Sequence, residues 1–176
     1  PGVVTLHDLA VLHHPETLNW RVKLSLLPFL ERTVRQATRI LTVSHAMAGE
    51  IAQQWPDAAG RTDVAWNGVA VDFRPASPEE LAASRQRLGL PDRFVLFVGT
   101  IEPRKNLDLL LDAWEALRLE NSATPPLLVA GPDGWGSRAT HRRMQRLADL
   151  GLRRLGHLER NDLIAVVQAA TVFVLP

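Results

Sequence analysis

Short apolar runs alternate along the chain with longer stretches in which apolar residues recur every three or four positions. The runs occupy residues 3–6, 40–43, 64–66, 94–98, 127–130, 152–155 and 171–175. Each run is short enough for a buried strand, and most of the intervening stretches have the period of a helix. The pattern therefore predicts an α/β protein in which parallel sheets carry helices on both faces.

The longest helical pattern spans residues 19–39 and contains Pro28, which we expect to kink or divide the helix. The apolar positions on one face are Trp20, Leu24, Leu27, Leu30 and Val34. Basic residues lie largely on the other faces. We expect the apolar face to pack against a sheet, and the alternative for a basic amphipathic helix is to lie on a membrane surface.

A Pro-rich polar stretch over residues 74–80 marks a change of domain. Within it, Ser77 is predicted to cap a helix that ends at Gly89. The chain is therefore divided into a domain over 1–71, a linker and helix over 72–90, and a second domain over 91–176.

Ser44 precedes another helical pattern, over about residues 45–55. We interpret its hydroxyl as an N-cap rather than a nucleophile, because no base is recognisably paired with it.

Residues 94–107 contain the most informative chemistry of the second domain. An apolar run leads to Gly99, whose missing side chain lets the backbone turn or approach a ligand closely. A helical pattern then starts at Asn106, and Arg104 and Lys105 lie just before it. A helix N-terminus beside two cations suits an anion such as phosphate, although an Arg-Lys pair in a first turn is often only a solvated surface. On these residues alone, both interpretations stay open.

Two further loops follow apolar runs at the places where ligands collect in open α/β sheets. His7 and Asp8 come directly after residues 3–6, where they either line a site or simply hydrogen-bond within the loop. The glycine-rich loop over residues 131–136 is expected to face the same crevice as Gly99.

Composition excludes several classes of function. The formal net charge of +1 gives no general attraction to nucleic acid. The chain has no cysteine, so it has no disulfide framework and no zinc–thiolate site, which fits a reducing compartment. The adjacent His13 and His14 lack a third ligand at helical spacing, so a metal site is not predicted. No apolar run is long enough to span a bilayer. Both ends fall within expected strands, and we expect an internal piece of a longer protein.

Several segments together resemble the retaining glycosyltransferases of family 4, which have the GT-B fold and include bacterial mannosyltransferases. The matching segments, in chain order, are His7-Asp8-Leu9 with the later His14-Pro15, Leu41-Thr42-Val43-Ser44, Asn67-Gly68-Val69, Val98 to Leu107, Ala130 to Trp135, Leu155-Gly156-His157-Leu158 and Ala169 to Pro176. They extend over essentially the whole chain, so the resemblance is more specific than any single motif.

The resemblance implies a nucleotide-sugar donor site between two Rossmann-like domains, of which the chain would contain the end of the first and the beginning of the second. It implies catalytic roles for His7, Arg104 and Lys105. The implied donor-binding residues are Gly99, Thr100, Arg104, Lys105, Gly131, Arg154, Gly156 and His157. It also implies that no metal or other cofactor is needed and that the donor is a substrate such as GDP-mannose.

The resemblance further implies the setting of the reaction. The acceptor would be a glycan or a lipid-linked glycan, and no nucleic acid would be involved. The protein would be cytoplasmic, with peripheral contact at the inner face of the membrane.

Two departures from the family pattern limit these expectations. Thr100 stands where several relatives have an arginine, so the cation that accompanies Lys105 is open. The Glu-x7-Glu carboxylates of the family are also missing, and we expect the 176 residues alone to be inactive. The alternatives are a GT-B sugar-nucleotide epimerase and a non-catalytic nucleotide-sugar-binding module.

Overall fold

The computed structural model describes residues 2–18 and 20–176. The chain divides into two compact units, Pro1–Val69 and Ala70–Pro176. No helix in the described ranges is both long enough and apolar enough to cross a membrane.

The first unit is built on a small parallel sheet in the order β1-β2-β3. Its strands are β1 (Val3–Leu6), β2 (Arg39–Thr42) and β3 (Thr62–Val64), and its helices are α1 (Ala10–His13), α2 (Trp20–Gln36) and α3 (His45–Gln54). Two 3-10 turns, Pro15–Thr17 and Pro56–Arg61, complete the unit. The core contains Leu6, Leu9, Val34, Ile40, Met47, Ile51, Trp55 and Ala58. The strand predicted at residues 64–66 lies two residues earlier, at Thr62–Val64. Trp66 is outside it and is 73% exposed.

The predicted packing of α2 is wrong over most of its length. Val34 is fully buried, but Trp20 and Leu24 are 61% and 66% exposed. The helix has 17 residues and is about 25 Å long, whereas each four-residue strand beside it extends only about 13 Å. Only the C-terminal part of α2 therefore has a sheet to cover. The helix also continues through Pro28 without being divided.

The second unit contains a four-stranded parallel sheet in the order β6-β5-β4-β7. Its elements in chain order are α4 (Pro78–Leu88), β4 (Val95–Val98), α5 (Leu107–Glu120), β5 (Leu127–Ala130), α6 (Arg138–Arg146), β6 (Arg153–Gly156), α7 (Arg160–Ala169) and β7 (Val172–Phe173). Short 3-10 turns occupy Pro103–Lys105 and Ala148–Leu150. Alternate residues of the central strands point to opposite faces. Phe97 and Val129 enter one core cluster, whereas Leu96 and Leu128 enter the other. Both faces are covered, as the apolar runs predicted.

The two predicted caps are confirmed. The Ser44 hydroxyl accepts a hydrogen bond from the Met47 backbone N–H, at 3.1 Å. Ser77 and Glu80 form a reciprocal capping box at the start of α4, and Gly89 ends that helix in the left-handed region with φ 57°. These local signals are readable from the sequence because cap and helix are adjacent along the chain.

The segment that was predicted as a linker is attached to the second unit. Asp72 forms a bidentate ion pair with Arg160 of α7, at 2.8 Å. Arg87 of α4 pairs with Asp162, and Arg153 donates to the carbonyl of Leu88 at 2.8 Å. These contacts fix the position of α4 beside α7 at one side of the sheet.

Candidate functional site

The strand order of the second unit locates a crevice at the carboxyl end of β4. The chain moves outward from β4 through β5 to β6, and then returns to place β7 on the other side of β4. Ligands of open α/β sheets bind where the strand order reverses in this way, beyond the carboxyl ends of the strands. Residues Gly99 to Asn106 form the loop at this point. The sheet topology therefore identifies the same loop as the sequence pattern.

The backbone of this loop is more tightly wound than expected. Pro103–Lys105 forms a 3-10 turn, and Asn106 adopts a left-handed conformation with φ 49°. Helix α5 therefore begins at Leu107 rather than at Asn106, and the Asn106 side chain does not cap it. The two predicted cations lie on the turn immediately before the N-terminus of α5, where the helix dipole favours an anion.

Lys105 and Arg104 have different surroundings. Arg104 donates to the half-buried Glu102 carboxylate at 3.0 Å. Lys105 is half-buried, and no group in residues 2–18 and 20–176 hydrogen-bonds or ion-pairs with its ammonium. Its Cδ would lie 3.8 Å from a Cβ built on Gly99, so the side chain passes close to the glycine backbone. Lys105 is thus the cation of this loop that has no competing carboxylate.

The glycines at the ends of β4 and β5 let the two loops meet backbone to backbone. A Cβ built on Gly131 would lie 2.0 Å from the Gly99 carbonyl oxygen, and Gly131 has φ 140°. The Gly131 N–H donates to the Gly156 carbonyl at 2.7 Å, which ties in the loop after β6. Thr100 is close as well, because a Cβ on Gly134 would lie 2.8 Å from its methyl group. The structure thus brings Gly99, Thr100, Gly131 and Gly156 together at the carboxyl ends of β4, β5 and β6.

The predicted donor residue Arg154 is part of a charged cluster that the sequence did not reveal. Its guanidinium forms an ion pair with Asp133 of the glycine loop and lies 3.2 Å from Nδ1 of His141 on α6. Nε2 of His141 is 3.0 Å from the Asp133 carboxylate, but it is not directed for a hydrogen bond. The cluster fixes the glycine loop to β6 and α6. Asp133 within a glycine-rich loop is the only sequence signal that points to it.

Open space surrounds the last two predicted donor residues. Gly156 has φ 72°, and a Cβ built on it would meet no atom within 4 Å. The next residue, His157, is exposed. Within the part of the chain that the structure describes, the backbone at the carboxyl end of β6 is therefore unobstructed.

Comparison with known proteins agrees with this architecture. Residues 80–176 match the family described as glycosyl transferases group 1, and residues 1–73 match glycosyltransferase family 4. The chain belongs to the group 1 glycosyltransferases. The resemblance inferred from the sequence motifs is therefore confirmed.

Curated relatives of this group 1 member align with most of its sequence. O-antigen chain mannosyltransferase B of Escherichia coli is 31% identical over 99% of this chain, which corresponds to 46% of that protein. The D-inositol 3-phosphate glycosyltransferase of Salinispora arenicola (strain CNS-205) is 33% identical over 83% of this chain and 36% of that protein. The chain thus spans less than half the length of these curated relatives.

Solved structures show the same fold. Anabaena Alr3699/HepE in complex with UDP and glucose matches with a TM-score of 0.74 at 23% identity, over 99% of this chain and 46% of that one. WaaG, a glycosyltransferase involved in lipopolysaccharide biosynthesis, matches with a TM-score of 0.73 at 16% identity, over 99% of this chain and 50% of that one. The predicted GT-B architecture is confirmed.

His7, the predicted catalytic residue of the first unit, is exposed at the carboxyl end of β1 in this group 1 member. No hydrogen bond or ion pair joins it to the neighbouring Asp8 in the described ranges, and the Asp8 carboxylate instead accepts a hydrogen bond from the Ala10 N–H at 3.0 Å, which stabilises the start of α1. Among the described residues, no three His, Asp or Glu side chains are grouped so that they could hold a metal ion.

Proposed function

We propose that the complete protein transfers a hexose, with mannose favoured, from a nucleoside-diphosphate sugar to a glycan or lipid-linked acceptor with retention of configuration. The observation that carries this proposal is the Lys105 ammonium, which has no partner among the described residues and lies where the strand order reverses, in a chain of the group 1 family. Transfer is proposed for the complete protein, because this chain spans less than half of its curated relatives.

Lys105 would act on the leaving group. When the bond between the anomeric carbon and the diphosphate oxygen breaks, the electron pair stays on the diphosphate, which gains negative charge. A fixed cation stabilises this charge more in the transition state than in the ground state, and therefore accelerates the step. The acceptor hydroxyl would attack from the face that the diphosphate leaves and give its proton to a diphosphate oxygen. This route retains the configuration and needs no protein nucleophile.

The other predicted residues would bind and orient the donor. The backbone at Gly131, Gly156 and His157 would lie around the nucleotide. At Gly156 that backbone is unobstructed. Arg154 would contribute by holding Asp133 and the glycine loop in place. His7 would lie near the transferred sugar. The donor binds without a metal or other cofactor in this proposal.

The relatives support the choice of substrates. One is named as a mannosyltransferase that acts on the O-antigen chain, and a solved structure with the same fold contains UDP-glucose. GDP-mannose is therefore the first donor to test and UDP-glucose the second. A cytoplasmic protein with peripheral contact at the inner membrane face agrees with nucleotide-sugar donors and a lipid-linked acceptor.

The experiment is to incubate the complete protein with each radiolabelled donor and separate the products. Transfer of label to a glycan or lipid acceptor is the expected result. Interconversion of the free nucleotide sugar would instead establish an epimerase, and donor binding without any turnover would establish a binding module. Either of those outcomes contradicts the proposal.

A further inference from the structure

Helix α6 carries a row of arginines that the proposed reaction does not use. Arg138, Arg142 and Arg146 are spaced four residues apart, so their side chains follow one stripe of the helix over about 12 Å. All three are exposed. The opposite side of the helix is fixed in the unit by the buried Thr140 and Met144. The three arginines therefore face solvent on a helix whose opposite side is packed into the unit.

The three guanidinium groups lack the partners that most other arginines of this unit have. Within the described part of the chain, none of the three makes a hydrogen bond or an ion pair. By contrast, Arg143 on the same helix pairs with Asp112 and Glu115, at 2.6 and 2.8 Å. Arginines that pair with carboxylates elsewhere in this unit are Arg74, Arg87, Arg104, Arg154 and Arg160. The positive charge of the row is thus left without compensation.

The arrangement opposes the stability of the helix itself. Like charges four residues apart repel each other, and Arg138 places a positive charge at the positive end of the helix dipole. The first turn of α6 contains no acidic residue that would offset this charge. A binding partner that supplies negative charge would relieve both effects.

The shape of the surface favours a flat anionic partner. The row projects from a convex helix and has no Phe, Trp or Tyr between the arginines for stacking on bases. The ring of His141, which lies between them in the sequence, is half-buried against Asp133 and Arg154. The whole chain has a net charge of only +1. A lipid bilayer with anionic headgroups presents many phosphates in one plane, which three adjacent guanidinium groups can contact together.

Helix α2 does not offer an equivalent surface for a bilayer, although most of its apolar side chains are exposed. Trp20, Leu24 and Leu27 lie on one side of that helix, whereas Val22, Leu26 and Phe29 lie on the other. A helix that lies in a membrane surface has one apolar and one polar side. A flat bilayer could therefore cover only half of the apolar surface of α2.

We propose that Arg138, Arg142 and Arg146 form a docking surface for anionic phospholipid headgroups. The contact is electrostatic and reversible, and it weakens as salt screens the charges. It rests on the peripheral membrane contact of the proposed function and assigns a surface to that contact, and it can be tested separately from the transfer reaction.

Vesicle sedimentation of the 176-residue chain tests the proposal. We expect binding to vesicles of phosphatidylglycerol and phosphatidylcholine, and little binding to phosphatidylcholine alone. The variant R138Q/R142Q/R146Q should bind the anionic vesicles about 100-fold more weakly, because each arginine near such a surface contributes a roughly fivefold gain. The matched control R21Q/K23Q/R32Q on α2 removes the same charge and should bind within about twofold of the unaltered chain. Circular dichroism of both variants establishes that they fold.

Three results would overturn the proposal. The first is an absence of binding to anionic vesicles. The second is an equal or larger loss in the α2 variant, which would assign the contact to total charge or to α2. The third is that duplex DNA binds the row as tightly as the vesicles do, since the surface would then recognise any polyanion.

Discussion

Arg104 and Lys105 are adjacent in the sequence, but only one of them is ready to bind an anion. The Arg104 guanidinium already donates to the Glu102 carboxylate, whose negative charge offsets part of its attraction for a phosphate oxygen. Lys105 has no such competitor in the described residues. The proposed donor site therefore assigns the main phosphate contact to Lys105 and a secondary contact to Arg104.

Gly131 has no room for a side chain, because its backbone lies against that of Gly99 at the carboxyl ends of β4 and β5. Gly131→Ala would place a Cβ 2.0 Å from the Gly99 carbonyl oxygen and would force a side chain into a backbone conformation that favours glycine. We expect a loss of about 2–4 kcal/mol in the free energy of unfolding, measured in urea. The control Gly60→Ala has open space around the new methyl group and should change stability by less than about 0.5 kcal/mol. A Gly131→Ala protein as stable as the original would show that the two loops separate easily.

At the scale of elements, the start of α4 is held by charge as well as by its cap. The Arg74 guanidinium and the Ser77 backbone N–H lower the pKa of Glu80 to about 2. The Ser77 hydroxyl likewise lowers the pKa of Glu79. A carboxyl whose pKa is lower in the folded state stabilises the fold above its unfolded pKa, and this contribution disappears as the pH falls through the folded value.

Glu80→Gln should remove one such contribution. We expect the unaltered chain to lose stability as the pH falls from about 4.5 towards 2, and the difference in melting temperature between the two proteins to shrink over the same range. Thermal unfolding followed by circular dichroism at several pH values measures this. The control Glu120→Gln alters a carboxylate that has no ion pair in the described ranges. The difference in melting temperature between this variant and the unaltered chain should not shrink as the pH falls from about 4.5 towards 2. A pH-independent difference for Glu80→Gln would contradict the role of the ion pair.

The elements that the sequence predicted well are those determined by neighbouring residues. The caps at Ser44 and Ser77 and the strands at 3–6 and 127–130 were identified correctly. Strand β3 was misplaced because its position follows from pairing with β2, which no local pattern specifies. The extent of burial of α2 was missed for a similar reason, since helical periodicity does not reveal how much sheet is available.

Within the candidate site, too, features set by neighbouring residues were predictable and features set by distant contacts were not. Gly99 and Lys105 could be identified because they follow an apolar run and precede a helical pattern. The ion pairs of Arg154 with Asp133 and of Arg104 with Glu102 could not be identified, because they depend on how the loops fold. The residues that would contact a ligand were thus easier to predict than the residues that position them.

At the scale of the whole molecule, residues 70–90 belong with the second unit. Leu90 is buried with Phe94 and Leu96, and Leu81 and Leu88 of α4 pack against the same cluster. We expect residues 70–176 to fold alone, and a shorter chain of residues 91–176 to be less stable by several kcal/mol because these contacts are lost. Urea unfolding of both chains measures the difference. Equal stability would show that residues 70–90 are only a linker.

The family assignment gives the fold of the molecule, whereas the reaction depends on the donor site. The most direct test of that site is the turnover of the complete protein carrying Lys105→Ala, compared with Arg104→Ala, in the radiolabelled transfer assay. We expect Lys105→Ala to lower kcat about 100-fold, as for the loss of one charge contact in a transition state, and Arg104→Ala to lower it less because Glu102 already occupies that cation. A Lys105→Ala enzyme that turns over at the full rate would contradict the assignment of Lys105 to the leaving diphosphate.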